Sequence, residues 1–110
     1  MTPSPSWKNL ALKDKQTIFF NIADQLEAHR DKIIYFLIHE AGKTYKDAID
    51  EIREAVDFLR YYAVQAEKIS QERQSLPGPT GETNDLFYEP KGVLVCISPW
   101  NFPVAIFIGP

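Results

Sequence analysis

The chemistry-bearing residues of this chain concentrate in Cys96-Ile-Ser-Pro-Trp-Asn-Phe-Pro103, which brings a thiol, a hydroxyl and a primary amide into one short run. Pro99 and Pro103 fix the backbone on either side of Trp100-Asn101-Phe102, so a rigid turn is expected directly after the apolar run Val93–Ile97. In open α/β sheets, ligands gather at the carboxyl ends of strands. An asparagine held there can aim its amide at a developing oxyanion. A plainer reading stands beside it, in which Asn101 caps backbone groups of a structural turn and Trp100 fills core. Cys96 is the only thiol. A reactive thiolate needs an electropositive, partly exposed setting, and Cys96 lies inside Val93-Leu-Val-Cys-Ile97, so it is expected to be buried, structural and not catalytic.

Other titratable groups carry less. His29 and His39 fall near expected helix C-termini, where a cation offsets the dipole. Neither has a cysteine partner or metal-ligand spacing, so no metal site is expected. Glu40, Asp47, Asp50, Glu51 and Glu54 are read as ordinary solvated helix surface.

Composition narrows the class of protein. The chain has 110 residues, 45% hydrophobic and 25% charged, as in folded globular proteins and unlike disordered or collagen-like ones. A net charge of -3, with basic residues scattered among acids, gives no stripe for nucleic acid. One cysteine excludes an internal disulfide and points to a reducing, cytoplasmic setting. The apolar runs Ile33–Ile38, Val93–Ile97 and Val104–Ile108 fall far short of the ~20 residues of a membrane span. The start, Met1-Thr-Pro-Ser-Pro-Ser-Trp7, lacks the pattern of a signal peptide.

The elements that must position the motif are mostly helical. Phe19, Ile22, Ala23 and Leu26 mark the buried stripe of a helix over Lys13–His29. A second helix is expected over Asp31–Ala41 with Ile34, Leu37 and Ile38 inward, ended by Gly42. A third is expected from Thr44, its N-cap, to about Gln74, with Asp47 approximating a capping box. Its inward positions are Ile49, Ile52, Val56, Leu59, Ala63, Ala66 and Ile69. Leu76-Pro-Gly-Pro-Thr-Gly81 breaks the helix. Short strands are then expected over Leu86–Glu89 and Val93–Ile97, around the turn Pro90-Lys-Gly92. Val93–Ile97 is apolar on both faces and needs neighbouring strands, of which the chain offers almost none. The C-terminal side therefore reads as incomplete. The expected fold class is mainly α, three helices with the last one long, followed by a short β-hairpin or strand.

Gly92-Val93 followed by Ile97-Ser-Pro-Trp-Asn-Phe-Pro103 resembles the signature of the cofactor-binding domain of aldehyde dehydrogenases. Glu40-Ala-Gly42-Lys43 resembles that family's E-x-G-K step, and Glu54-Ala-Val-Asp-Phe-Leu-Arg-Tyr-Tyr-Ala63 its following long helix. Leu76-Pro-Gly-Pro-Thr-Gly-Glu82 with Val95–Phe107 is similar to the glutamate semialdehyde dehydrogenase module of bifunctional proline-utilisation proteins. The resemblance runs from about Trp7 to Gly109.

That resemblance implies an α/β fold in the full protein. Residues 1–75 would form the N-terminal helical part of the cofactor-binding domain, 76–91 a flap like the oligomerisation arm, and 92–110 the first strand and start of the NAD-binding core. It implies that Asn101 holds the oxyanion of a thiohemiacetal, and that Ile97, Ser98, Pro99 and Trp100 line the adenosine and ribose part of an NAD site. It also implies an aldehyde substrate, L-glutamate 5-semialdehyde in equilibrium with pyrroline-5-carboxylate, and a homo-oligomer paired through the flap. The family's nucleophilic cysteine, general-base glutamate and ribose-gripping lysine and glutamate have no counterparts up to Pro110. The 110 residues alone are therefore expected to be inactive and poor binders of NAD. The competing expectation is a non-catalytic helical interaction or oligomerisation module.

Overall fold

Proline at a first helical position opens a short helix, α1, over Pro5–Asn9. It begins the part of the chain that the computed structural model describes, residues 5–70 and 73–110. Three longer helices come next: α2 over Leu12–Ala28, α3 over Arg30–His39 and α4 over Tyr45–Ser70. A two-stranded antiparallel hairpin joins β1, Gln74–Leu76, to β2, Asn84–Leu86, with Ser75 opposite Asp85. One further turn of helix, α5, spans Ala105–Ile108. The architecture is mainly α with a small hairpin, as the residue pattern predicts.

The core lies where α2 and α3 pack on α4. Ala23, Leu37, Ala48, Ile52, Val56 and Leu59 form one buried cluster, flanked by half-buried Phe19, Leu26, Ile33, Ile34 and Ile38. Each large aliphatic side chain taken fully from water there contributes about 1.5–3 kcal/mol. Two members of the expected stripes face solvent instead: Ile22 on α2 and Ile69 near the end of α4. Both sit on the rim of the helix pairing, where no described element covers them. Arg60 on α4 reaches back to α2, donating to Asp24 at 3.0 Å and to Glu27 at 3.1 Å.

The turns between helices obey local chemistry. Gly42 adopts φ +67, a left-handed conformation that a side chain would strain, and Lys43 N–H then closes onto the Leu37 carbonyl at 3.0 Å. Thr44 caps α4, its Oγ1 accepting from the Asp47 N–H at 3.1 Å. The capping box is altered: the Asp47 carboxylate accepts from the Thr44 hydroxyl at 2.7 Å rather than from a backbone N–H. Aspartate is one methylene shorter than the glutamate such a box uses.

Three expectations require correction. Gln74 is strand, not helix, so α4 ends before it and runs about 39 Å; Gln71 and Glu72, which the expected helix included, lie outside the described residues. The hairpin uses Asn84–Leu86 paired back to Gln74–Leu76, not Leu86–Glu89 paired across Pro90-Lys-Gly92. Its loop makes a turn closed by Glu82 N–H on the Pro79 carbonyl, with Gly81 at φ +94 where a type II turn needs positive φ. Val93–Ile97 forms no strand and is unpaired, with Val95 88% exposed. A strand apolar on both faces is stable only between neighbours, and the described residues pair no strand with it.

The result is elongated. The radius of gyration is 18.4 Å and the longest dimension 64 Å, against about 13 Å for the radius of a compact chain of this length. The helical layer is packed; the stretch after the hairpin lies largely open until α5 docks onto α4.

Candidate functional site

Asn101 lies in the irregular turn between the open stretch ending at Pro99 and α5, and its side chain is exposed. The four residues before it share that exposure unequally. Ile97 is 94% and Trp100 84% exposed, Pro99 is exposed and Ser98 half-buried. Trp100 therefore does not fill core. Cys96 is also exposed, correcting the expectation of a buried thiol. The reason is the unpaired strand: without neighbours on either side of Val93–Ile97, burial of Cys96 has no source.

The segment on the C-terminal side of Asn101 is held firmly, by a carboxylate expected in solvent and found buried. Glu51 is only 3% exposed. Its Oε2 accepts from the backbone N–H of Ala105 at 2.9 Å and of Val104 at 3.2 Å, satisfying orphan donors at the start of α5. Its Oε1 lies 2.9 Å from the Lys43 Nζ, close enough for an ion pair but out of line for a hydrogen bond. The Lys43 ammonium also sits 4.1 Å from the centre of the Phe102 ring, a cation–π contact. One carboxylate and one ammonium thus grip both residues that flank Pro103, and Phe102 is the immediate neighbour of Asn101. Removing either member of a buried ion pair typically costs about 3–5 kcal/mol, because its partner is left unpaired.

The signal for Glu51 is in the spacing. It lies three residues after Ala48 and four before Ala55, both buried, so the stripe of α4 carries it inward. Lys43 is visible in the sequence only as part of Glu40-Ala-Gly42-Lys43. A shallow groove of ≈ 370 Å³ runs beside the turn, lined by Phe36, Leu37, Glu40, Trp100, Pro103 and Val104 among others. Asn101 is not among its lining residues. The histidines make their contacts elsewhere: His29 Nδ1 is 2.9 Å from the Gln25 carbonyl oxygen, and the His39 ring lies 4.2 Å from that of Tyr35, tilted by 43°. Among the described residues, no three His, Cys, Asp or Glu side chains converge as a metal would require, and no helix is long and apolar enough to cross a membrane.

An unpaired apolar segment, a proline-bracketed asparagine and a turn locked onto the long helix make up the site. Residues 2–110 match the aldehyde dehydrogenase family. This chain belongs to that family. It is 39% identical over 104 residues to 1-pyrroline-5-carboxylate dehydrogenase 1 of Halalkalibacterium halodurans, covering 94% of the chain and 20% of that relative. It is 41% identical over 106 residues to the bifunctional protein PutA of Escherichia coli, covering 96% of the chain and 7% of PutA. A crystal structure of bifunctional proline utilization A superposes with a TM-score of 0.81 at 44% identity, over 94% of this chain and 11% of that one. The chain thus spans a fifth or less of these relatives. Within this chain, the structure ties Phe102, Val104 and Ala105, just after Asn101, to Lys43 and Glu51, and leaves Ile97, Pro99, Trp100 and Asn101 itself exposed.

Proposed function

We propose that this chain is the N-terminal part of an NAD-dependent aldehyde dehydrogenase that oxidises L-glutamate 5-semialdehyde, in equilibrium with pyrroline-5-carboxylate, to glutamate. The observation that carries the reading is Asn101, exposed in a turn whose C-terminal side is locked by Glu51. The likeness to 1-pyrroline-5-carboxylate dehydrogenases and PutA supports the substrate class. In this reading a thiolate supplied from outside these residues attacks the aldehyde carbon. The Asn101 amide donates to the carbonyl oxygen as it gains negative charge. The electron pair on that oxygen re-forms the carbonyl as hydride leaves carbon, giving a thioester, and water hydrolyses the thioester to the acid.

NAD, when bound, supplies the hydride acceptor. Ile97, Ser98, Pro99 and Trp100 fit an adenosine in chemistry, since they offer broad apolar faces with one hydroxyl and no charge. They would form one wall of that site. The hairpin fits the expected oligomerisation arm over 76–91: Leu76, Leu86, Phe87 and Tyr88 are exposed on or beside strands with unpaired edges. The single cysteine fits a reducing, cytoplasmic setting.

Two measurements test this. An antibody raised against the chain should detect a native polypeptide several times heavier than 12.6 kDa; a band at 12.6 kDa overturns the reading in favour of a non-catalytic interaction module. In the whole enzyme, Asn101→Ala should lower kcat by about 100- to 1000-fold with little change in cofactor affinity. An unchanged kcat removes Asn101 from the mechanism.

A further inference from the structure

We infer that Glu51 and Lys43 act as a positioning clamp for Asn101, setting the angle at which its amide is presented to substrate; this rests on the reading of Asn101 as an oxyanion donor. Asn101 is followed directly by a turn whose residues are tied to α4. Glu51 fixes Val104 and Ala105 through two backbone N–H donors, and Lys43, ion-paired with the same carboxylate, fixes the Phe102 ring.

The clamp's own foundation is rigid. Glu51 emerges from the buried stripe of α4 between Ala48 and Ile52, two residues of the main core. Lys43 leaves the turn set by Gly42, immediately before the Thr44 cap of the same helix. Both clamp residues are thus referred to α4, and through them the turn bearing Asn101 is referred to α4 as well. A turn built this way keeps the residues beside Asn101 in a fixed relation to α4. That is what an oxyanion donor needs, since a displacement of about 1 Å can lower the rate by roughly 100-fold.

The test uses the whole dehydrogenase carrying this chain. Glu51→Gln keeps one acceptor oxygen and the side-chain shape but removes the charge that holds Lys43. It should lower kcat per folded enzyme by about 10- to 100-fold, with KM for NAD unchanged. The deciding readout is the double variant. Added to Asn101→Ala, Glu51→Gln should produce no further fall in kcat, because it acts through a donor already gone; a merely structural role predicts the same loss in both backgrounds. Should Glu51→Gln fail to fold, Lys43→Met and Lys43→Arg replace it: the first should lower kcat only when Asn101 is present, and the second, which keeps the cation, should recover most of that loss. Equal losses with and without Asn101, or normal kcat in both Glu51→Gln and Lys43→Met, overturn the clamp while leaving the Asn101 reading intact. A normal kcat in Asn101→Ala alone overturns the Asn101 reading itself, and the clamp with it.

Discussion

Helix α4 and the stretch Val93–Ile97 are both rich in apolar residues, yet one is the spine of the molecule and the other lies bare. On α4, Ala48, Ile52, Ala55, Val56, Leu59 and Ala63 are all buried. On the later stretch, Val93, Leu94, Val95 and Ile97 are all exposed. The difference is in where backbone hydrogen bonds come from. A helix satisfies its own N–H and C=O groups within each turn, so α4 needs only one face covered, which α2 and α3 provide. A strand satisfies nothing by itself. Asn101 sits at the junction of the two regimes, with the unpaired stretch before it and a turn fastened to α4 after it.

Side-chain truncation breaks or sharpens that contrast most directly. In the 110-residue chain, Ile52→Ala should lower unfolding free energy by about 2–5 kcal/mol, the range for a buried aliphatic residue whose cavity relaxes only in part. Val95→Ala should leave it unchanged within error, because Val95 has nothing to lose. Denaturant titrations of both variants read the two values side by side. Comparable losses would mean that Val95 is packed in solution, and the contrast would fail.

The same contrast explains what the residues disclose. The three helices, the Gly42 turn and the Thr44 cap are local properties, so periodicity and capping rules reveal them, whereas α4 ends earlier than its periodicity predicts. The pairing of Gln74–Leu76 with Asn84–Leu86 is non-local, and neither three-residue strand carries enough alternation to announce itself. Asn101 stands out as a candidate because two prolines bracket it and because the surrounding motif resembles a family signature. Its support is legible in principle but masked. Glu51 has the charge of a surface residue and the phase of a core residue, and in the fold it is phase that wins. Exposure of Cys96 and Trp100 cannot be read from sequence at all, since it depends on which strands lie beside them rather than on their own run of neighbours.

Smaller effects probe how firmly α4 is anchored at the end nearest the clamp. Thr44→Ala removes the acceptor for the Asp47 N–H and should lower stability by about 1 kcal/mol, within the usual range of roughly 0.5–2 kcal/mol for such caps. Thr44→Asp, which restores an acceptor, should recover most of it. Chemical denaturation of the three proteins checks the order. A loss from Thr44→Ala as large as that from Ile52→Ala would mean that the first turn of α4, and not its buried middle, governs the helix.

The smallest expected effect lies one turn further along. Lys46 and Asp50 are paired at i,i+4 on the solvent face of α4. The hydrogen bond from the Lys46 ammonium holds the Asp50 carboxyl below its ordinary value, with the nearby positive charges adding to it. A carboxyl whose value is depressed on folding stabilises the native state above the ordinary carboxylate range, and that contribution disappears as pH falls through the depressed value. The unfolding midpoint of the wild-type chain should therefore fall slightly more than that of Asp50→Asn as pH is lowered through and below the normal carboxylate range. Above that range the difference between the two should be flat with pH, and added salt should shrink it, because the pair is open to water. The pair lies on the exposed face of the helix that carries Glu51 inward, so a salt-sensitive kcat in the whole enzyme that changed with Asp50→Asn would mean that the outer face of α4 also steers the Asn101 turn, and the separation between a solvated face and a clamping face would not hold.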